Sequence, residues 1–439
     1  MAETAHLLSD FKPAMSRHLA ALFIVLSIAA TWCNASTAAA AGLDFKITVE
    51  AGQHDRTNTP VLAHLLVPKE RADVQVVELV DPAGKFVTGQ LTPDGLFHLI
   101  GLAQGTVRRE LHFILPSLKK GESITYTLRE ATAKPSEQFA WHDTPGDYDD
   151  LTFGTRPVLR YMYKPLDDSS KEAREQTYKV YHHLFDPTGK QIVTKGPGGQ
   201  YTHHRGLYFG FNRISYGGGK KCDTWHCSGD AFQSHDKFLA ADAGAVLGRQ
   251  RLEIGWHGVG KETFATEERE MTVYHIPGGQ MVEFASRLRS NVGPVRLDGD
   301  PQHAGFQFRA SNEVSEKTKA QTYYLRPDGQ GKPGETRNWD AKKPDPKCAN
   351  LPWNALSFVL GGQRYTAVYL DKPTNPKEAR YSERDYGRFG SYFEYDLDTN
   401  KPLELNYRVW LQAGEMTAEQ VKALSADFVE SPKVKAVRL

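Results

Sequence analysis

Two histidines and an arginine stand together in Gln200-Tyr201-Thr202-His203-His204-Arg205-Gly206, which runs directly into the aromatic stretch Leu207-Tyr208-Phe209-Gly210-Phe211-Asn212. Imidazole exchanges protons near neutral pH, and a guanidinium holds an oxyanion or a carboxylate in a rigid fork. Read as a strand, alternate residues share a face. His203 and Arg205 then align with Leu207 and Phe209, and His204 aligns with Tyr208 and Asn212. These side chains either form one wall of a pocket or satisfy loop backbone groups.

Three further segments carry chemistry. In Asp298-Gly299-Asp300-Pro301-Gln302-His303-Ala304-Gly305-Phe306-Gln307-Phe308-Arg309, residues Ala304, Phe306 and Phe308 share one face and His303, Gln307 and Arg309 the other. The second set suits a polar groove or a solvated sheet face. Cys222-Asp223-Thr224-Trp225-His226-Cys227, with His235 nearby, holds residue types that bind zinc or copper, but at no standard finger spacing. Trp225 beside His226 equally offers a platform for a sugar ring. In Tyr381-Ser382-Glu383-Arg384-Asp385-Tyr386, Glu383 and Asp385 share a strand face. Paired carboxylates serve as acid and base where burial splits their pKa values, and otherwise pair with neighbouring arginines.

The expected site therefore has His203, His204, Arg205, His303 and Asp385 as its catalytic groups, with Glu383 as an alternative acid. Tyr208, Trp225, His226, Gln307, Arg309, Arg384 and Tyr386 are expected to bind substrate. No metal-ligand set is assigned, and the residues name no cofactor. Two other functions stay open: carbohydrate binding without turnover, and a metal-dependent oxidase or hydrolase using His203, His204, His226 or His303. No G-x-S-x-G elbow and no H-E-x-x-H helix is present. Gly217-Gly218-Gly219-Lys220-Lys221 lacks the Ser/Thr of a phosphate loop and reads as a hairpin turn.

The elements that must position these residues are strands. Leu43–Val49 alternates apolar and polar residues, and strand-like runs follow at Val61–Val67, Val74–Val80, Leu96–Leu102, Val107–Leu115 and Ser123–Arg129. This spacing predicts a small β-sandwich over 43–135, closed by a Pro- and acid-rich link from Lys134 to Asp147. Residues 150–430 are again strand-rich, with no βαβ alternation, and predict a large antiparallel β-sandwich. Asp167–Gln176 reads as a polar helix or an ordered loop. Thr417-Ala418-Glu419-Gln420 has capping-box spacing ahead of Val421, Leu424 and Phe428, which predicts a terminal helix. Asp328–Pro346 reads as a surface loop.

The chain has 439 residues, enough for two domains, and 54 basic residues balance 53 acidic ones. Without a basic run, a nucleic-acid surface has no electrostatic support. Arg17 and His18 precede an apolar stretch, Leu19–Cys33, and small residues follow to Ala41. This pattern predicts a signal peptide over 1–42 with an upstream extension, hence a periplasmic or secreted protein. No later run is long and apolar enough to span a bilayer. In an oxidising compartment, Cys222 and Cys227 could close a short loop and leave Cys348 over; three free buried thiols are the other reading.

The segments His203–Asn212, Asp223–His226, Pro301–Arg309 and Tyr381–Gly390 together resemble an exported bacterial family, abundant in planctomycetes, labelled methane oxygenase PmoA. The ending Leu411-Gln412-Ala413-Gly414-Glu415-Met416-Thr417 fits it too, and the resemblance covers nearly all the mature chain. A membrane methane monooxygenase subunit needs several transmembrane helices, which this sequence lacks after its signal. The family's genomic company and β-rich character resemble polysaccharide-degrading systems. The large domain is similar to the supersandwich of galactose mutarotase-like proteins. The resemblance thus implies a small-molecule sugar or a polysaccharide as substrate.

Overall fold

A computed structural model describes residues 42–97, 101–133 and 135–439. The expected signal peptide lies outside the described residues, as does part of the strand expected over Leu96–Leu102.

Alternation builds the first sheet. In Phe45–Glu50 the residues Phe45, Ile47 and Val49 are buried and their neighbours face out. This strand joins Arg56–Pro68, Val76–Val80, Phe86–Thr92, Thr106–Leu118 and Ser123–Glu130 in one antiparallel sheet. Its seventh strand is Lys433–Arg438, from the far end of the chain, with Phe45 opposite Arg438. A contiguous 43–135 domain omits this strand. The strands at the two ends of the sheet order approach one another, so the sheet curls around its own core of Ile47, Leu65, Leu79 and Phe113.

Two larger antiparallel sheets face each other. The eight-stranded sheet runs in the order Arg380–Arg384, Arg388–Tyr392, Ala304–Arg309, Leu207–Phe211, Tyr181–Leu184, Arg156–Met162, Tyr148–Phe153, Phe139–Thr144. The nine-stranded sheet includes Leu247–His257, Thr263–Ile276, Gly279–Ser290 and Leu403–Ala413. Their inner faces interdigitate as a sandwich core. Phe209 meets Trp256 at 5.3 Å between ring centroids, and Phe306 stacks on Phe284 at 4.2 Å. A four-stranded sheet, Lys220–Cys222, Arg213–Tyr216, Val295–Asp298 and Tyr395–Leu397, flanks this core. The protein is thus mainly β. The Pro- and acid-rich stretch after residue 135 is not a linker, because Phe139–Thr144 is an edge strand and buries Phe139.

Helices are few. Lys171–Thr177 is capped by the Ser170 hydroxyl, which accepts from the Ala173 amide at 3.0 Å. Ala418–Val429 carries the capping box: Thr417 Oγ1 accepts from the Gln420 amide, and Gln420 Oε1 accepts from the Thr417 amide at 2.8 Å. The side chain of Asp427 then ties this helix to the first sheet, accepting from Arg56 Nη1 and Thr59 Oγ1, each at 2.8 Å.

Candidate metal centre

Register decides what lies over the outer face of the eight-stranded sheet. Leu207–Phe211 runs antiparallel to Ala304–Arg309, with Leu207 opposite Phe308 and Phe211 opposite Ala304. Leu207, Phe209 and Phe211 enter the sandwich core, so Tyr208 faces the other way. Loops leave the two ends of this strand pair and fold over that outer face. Gly305 lets the neighbouring strand Arg388–Tyr392 come close. Its φ is +82°, and a Cβ there would sit 2.1 Å from the Ser391 carbonyl oxygen.

The first loop carries His203 and His204. The His204 amide donates to Tyr201 O at 3.0 Å, and Tyr201 sits at φ +56°, a region few aromatic residues adopt. Three buried cationic contacts hold this loop. Lys179 Nζ donates to His203 O at 2.5 Å, Arg205 Nη1 to His204 O at 3.0 Å, and Arg205 Nη2 to Glu175 O at 2.5 Å.

The second and third loops repeat one motif. Asp223 Oδ1 accepts from the amides of Trp225 and His226 at 2.8 and 2.7 Å, and Asp223 Oδ2 meets His226 Nδ1 at 2.7 Å. Asp300 Oδ1 accepts from the Gln302 amide at 2.9 Å, and the Asp300 carboxylate meets His303 Nδ1 at 3.0 and 3.1 Å. Each is a D-x-x-H turn in which an aspartate folds its own loop and grips the imidazole three residues on. A carboxylate only accepts, so Nδ1 carries the proton and Nε2 keeps its lone pair. Carboxylates orient metal-binding histidines in the same way.

The three loops bring the imidazoles together. The rings of His203 and His204 lie 4.4 Å apart, His203 and His226 4.4 Å, His226 and His303 4.7 Å, and His203 and His303 5.3 Å. One ring nitrogen each from His203, His204 and His303 falls within 4.8 Å of the other two. His203 Nε2 is buried without a hydrogen-bond partner among the described residues. Burial, with Lys179 and the neighbouring imidazoles, pulls the His203 pKa down to about 2. Burial likewise holds His204 well below its ordinary value. Both are neutral near pH 7, the form that donates a lone pair to a metal. Burial pushes the Asp300 carboxyl up, yet its hydrogen bonds with His303, the Gln302 amide and Asn212 hold it well below the carboxylate range. The donor set fits a transition ion such as zinc or copper, with His203, His204 and His303 as its ligands. The sequence assigns no ligand set, and three of the four histidines named for the metal-dependent alternative are those that converge here.

Several other expected roles change. His203 through Gly206 precede the strand, so the strand alternation does not extend to them; His203 and His204 both reach the cluster. Arg205 is buried and spends its guanidinium on backbone carbonyls. Tyr208 is buried and donates to Thr224 O. Trp225 is 1% exposed and lies edge-on to His204, so it offers no face to a sugar. The Gln307 and Arg309 face is buried, neither groove nor solvated. Gln307 bonds Arg388 Nη1 at 2.9 Å, and Arg309 donates to Tyr386 O at 2.5 Å beneath the Tyr386 ring. Glu383 is paired with Arg326 at 2.6 Å, Arg384 bonds Asn338, and Asp385 has no hydrogen bond or ion pair with the histidines. Cys222, Cys227 and Cys348 are free thiols, and His235 packs on Tyr163 and Phe238 instead.

Residue-by-residue reading missed Asp223 and Asp300 as histidine partners, Lys179 as a loop clamp, and Tyr201. The twice-repeated D-x-x-H spacing was the available signal. Tyr201 is 46% exposed and lies 5.1 Å from the Tyr386 ring, marking the mouth of the cluster. A cavity of about 610 Å³ has Asp223 and Asn212 in its wall but none of the four histidines. Asn212 Nδ2 also donates to Asp300 Oδ2 at 2.7 Å.

The chain belongs to a family of unknown function, DUF6807, which matches residues 149–426 and so takes in all three loops. No curated protein matches it. Among solved structures it is similar to an α-mannosidase from Enterococcus faecalis, at 8% identity and a TM-score of 0.40. It is also similar to a protein in the glycosyl hydrolase family 38 from the same organism, at 9% identity and a TM-score of 0.40. The alignments cover 90% of this chain but 46% and 47% of those chains, so it spans about half their length. No described helix is long and apolar enough to cross a membrane.

Proposed function

We propose that this protein is an exported, metal-dependent enzyme that acts on carbohydrate. One observation carries the metal: three imidazole nitrogens converge within 4.8 Å, with no carboxylate among them and Asp300 placed behind His303. Three protein ligands leave an open position, as in catalytic zinc sites. Support for carbohydrate is the Tyr201–Tyr386 pair, in which the 46% exposed Tyr201 ring can pack on a sugar C–H face while Tyr386 is buried behind it. The leader-like sequence supports export.

Elemental analysis of protein purified without chelator is expected to find about one equivalent of zinc or copper. His303→Ala is expected to lose it. Less than a tenth of an equivalent, together with no shift in Tm on adding zinc or copper, would sink the metal reading. The same tyrosine pair would also serve binding without turnover. Glycan binding with no product from metal-loaded protein would favour that second reading.

A further inference from the structure

Eight arginines and two lysines are buried among the described residues, and they divide sharply. Five arginines meet a carboxylate: Arg56 with Asp427, Arg249 with Glu110, Arg269 with Glu267, Arg326 with Glu383 and Arg408 with Glu283. The other five cations do not. Lys179, Lys195 and Arg205 bond only backbone carbonyls. Arg309 bonds the carbonyls of Ala310 and Tyr386, and Arg388 bonds Gln307, Ser382 and Pro301 O. A carbonyl dipole satisfies an N–H but cancels no net charge, and buried charges are ordinarily paired.

All five unpaired cations lie at the histidine site. Lys179 holds His203 O and Trp225 O, Arg205 follows His204 in the chain, and Arg388 Nη1 reaches Pro301 O in the His303 loop at 3.4 Å. Arg309 stands opposite Arg388 in adjacent strands, and its carbonyl accepts from the Lys195 amide at 2.9 Å. Its guanidinium lies 4.6 Å from the Tyr386 ring, which is 6.3 Å from His204 and 5.1 Å from the exposed Tyr201. Arg205 Nε, Arg309 Nε and Nη2, and Arg388 Nε have no acceptor among the described residues. The carboxylates of the histidine loops, Asp223 and Asp300, are bound to imidazoles and loop amides instead.

We infer that the carbohydrate taken by this site is acidic and carries a carboxylate or sulfate group whose oxygens answer the unpaired cations. This rests on the carbohydrate reading above. Arginine stays charged at any working pH, so three of the charges are fixed whatever the two lysines do. A divalent ion on three neutral imidazoles adds to the excess. One sign of charge in a low-dielectric setting concentrates ligands of the other sign. A guanidinium fork matches carboxylate and sulfate oxygens alike, which is why the shared chemistry is named.

The test titrates full-length protein calorimetrically with matched glycans: polygalacturonate against its methyl-esterified form, and dextran sulfate against dextran. Salt of about 0.3 M screens exposed charges throughout. At least one acidic glycan is expected to bind about tenfold or more tightly than its neutral match, the ratio that a charge-assisted hydrogen bond supplies. The pair that responds tells carboxylate from sulfate. Arg309→Gln and Arg388→Gln are each expected to lose the preference, and Lys85→Gln, on an exposed turn, to keep it. Near-ultraviolet circular dichroism checks that each variant folds; should one fail, the other and the wild-type ratio decide. Neutral glycans bound as tightly as acidic ones would overturn this inference and leave the carbohydrate reading standing. So would a preference unchanged in both arginine variants, which would put the anion on another surface. No binding to any of the four glycans, with or without zinc, fails the carbohydrate reading and this inference together.

Discussion

Two buried clusters in this protein use similar residues and do opposite things with them. One lies between the curled sheet and the nine-stranded sheet. There Arg249 bonds Glu110 Oε2 at 2.6 Å, Asp242 Oδ2 at 2.9 Å and Thr92 Oγ1 at 2.9 Å, with Glu270 at 3.9 Å and His112 beside Glu110. Arg249 answers all three acids, while both ring nitrogens of His112 are buried without a hydrogen-bond partner among the described residues. The other cluster is the four histidines. Its acids face outward to Nδ1, while neutral imidazoles converge and leave His203 Nε2 unmatched. A structural ion network spends its charges on one another, whereas a binding site gathers donor or acceptor capacity with no opposite charge beside it to spend it on.

Four measurements break or sharpen that contrast. The largest effect is expected in the balanced cluster. Arg249→Met strands Glu110 and Asp242 in a buried place, and a loss of about 3–5 kcal/mol in urea unfolding is expected. A loss well under 1 kcal/mol would mean the network is not holding the two sheets together.

The histidine cluster should instead show its energy only with metal. At zinc a hundredfold above its Kd, wild type is expected to gain about 2.7 kcal/mol of stability and His303→Ala none. Thermal unfolding with and without zinc reads this directly. Equal shifts in both proteins would place the metal elsewhere.

The balanced cluster should also answer to pH. Burial pushes the Glu270 carboxyl up to about 7, with Arg249 partly opposing. Between the ordinary value of 4.5 and about 7, the folded chain keeps a proton that the unfolded chain has released. Stability from this group is therefore complete below about pH 4.5 and lost as pH rises to 7. The loss is about 3 kcal/mol. Glu270→Gln is expected to flatten that slope in unfolding curves taken across the window, and a slope that persists would assign it to another group.

The smallest effect is expected behind the metal ligands. Asp300→Asn keeps the shape of its loop but weakens the grip on His303 Nδ1, and a loss of zinc affinity of about tenfold or more is expected by competition titration. Unchanged affinity would make Asp300 a loop-former only.

Much of the fold could be read from residue order. Phe45, Ile47 and Val49 alternate with outward neighbours because a strand has period two, and the Thr417–Gln420 capping box depends on residues three apart. The closing strand Lys433–Arg438 could not be read this way, because its partner Phe45–Glu50 lies almost the full chain away. The site divides similarly. His203, His204, His226 and His303 were recognisable by type. Trp225 and Tyr208 were misread as exposed, and Arg205 and Arg309 as free, since exposure and hydrogen-bond spending depend on what packs from elsewhere.

The sequence by itself determined the β-rich plan and the local D-x-x-H turns, both set by neighbours within a few residues. Only the tertiary structure decided that loops from opposite ends of one strand pair fold over the same sheet face. Strand register brings His203, His204, His226 and His303 within reach of one another across about a hundred residues. Convergence of that kind depends on distance through space, and no local pattern records it.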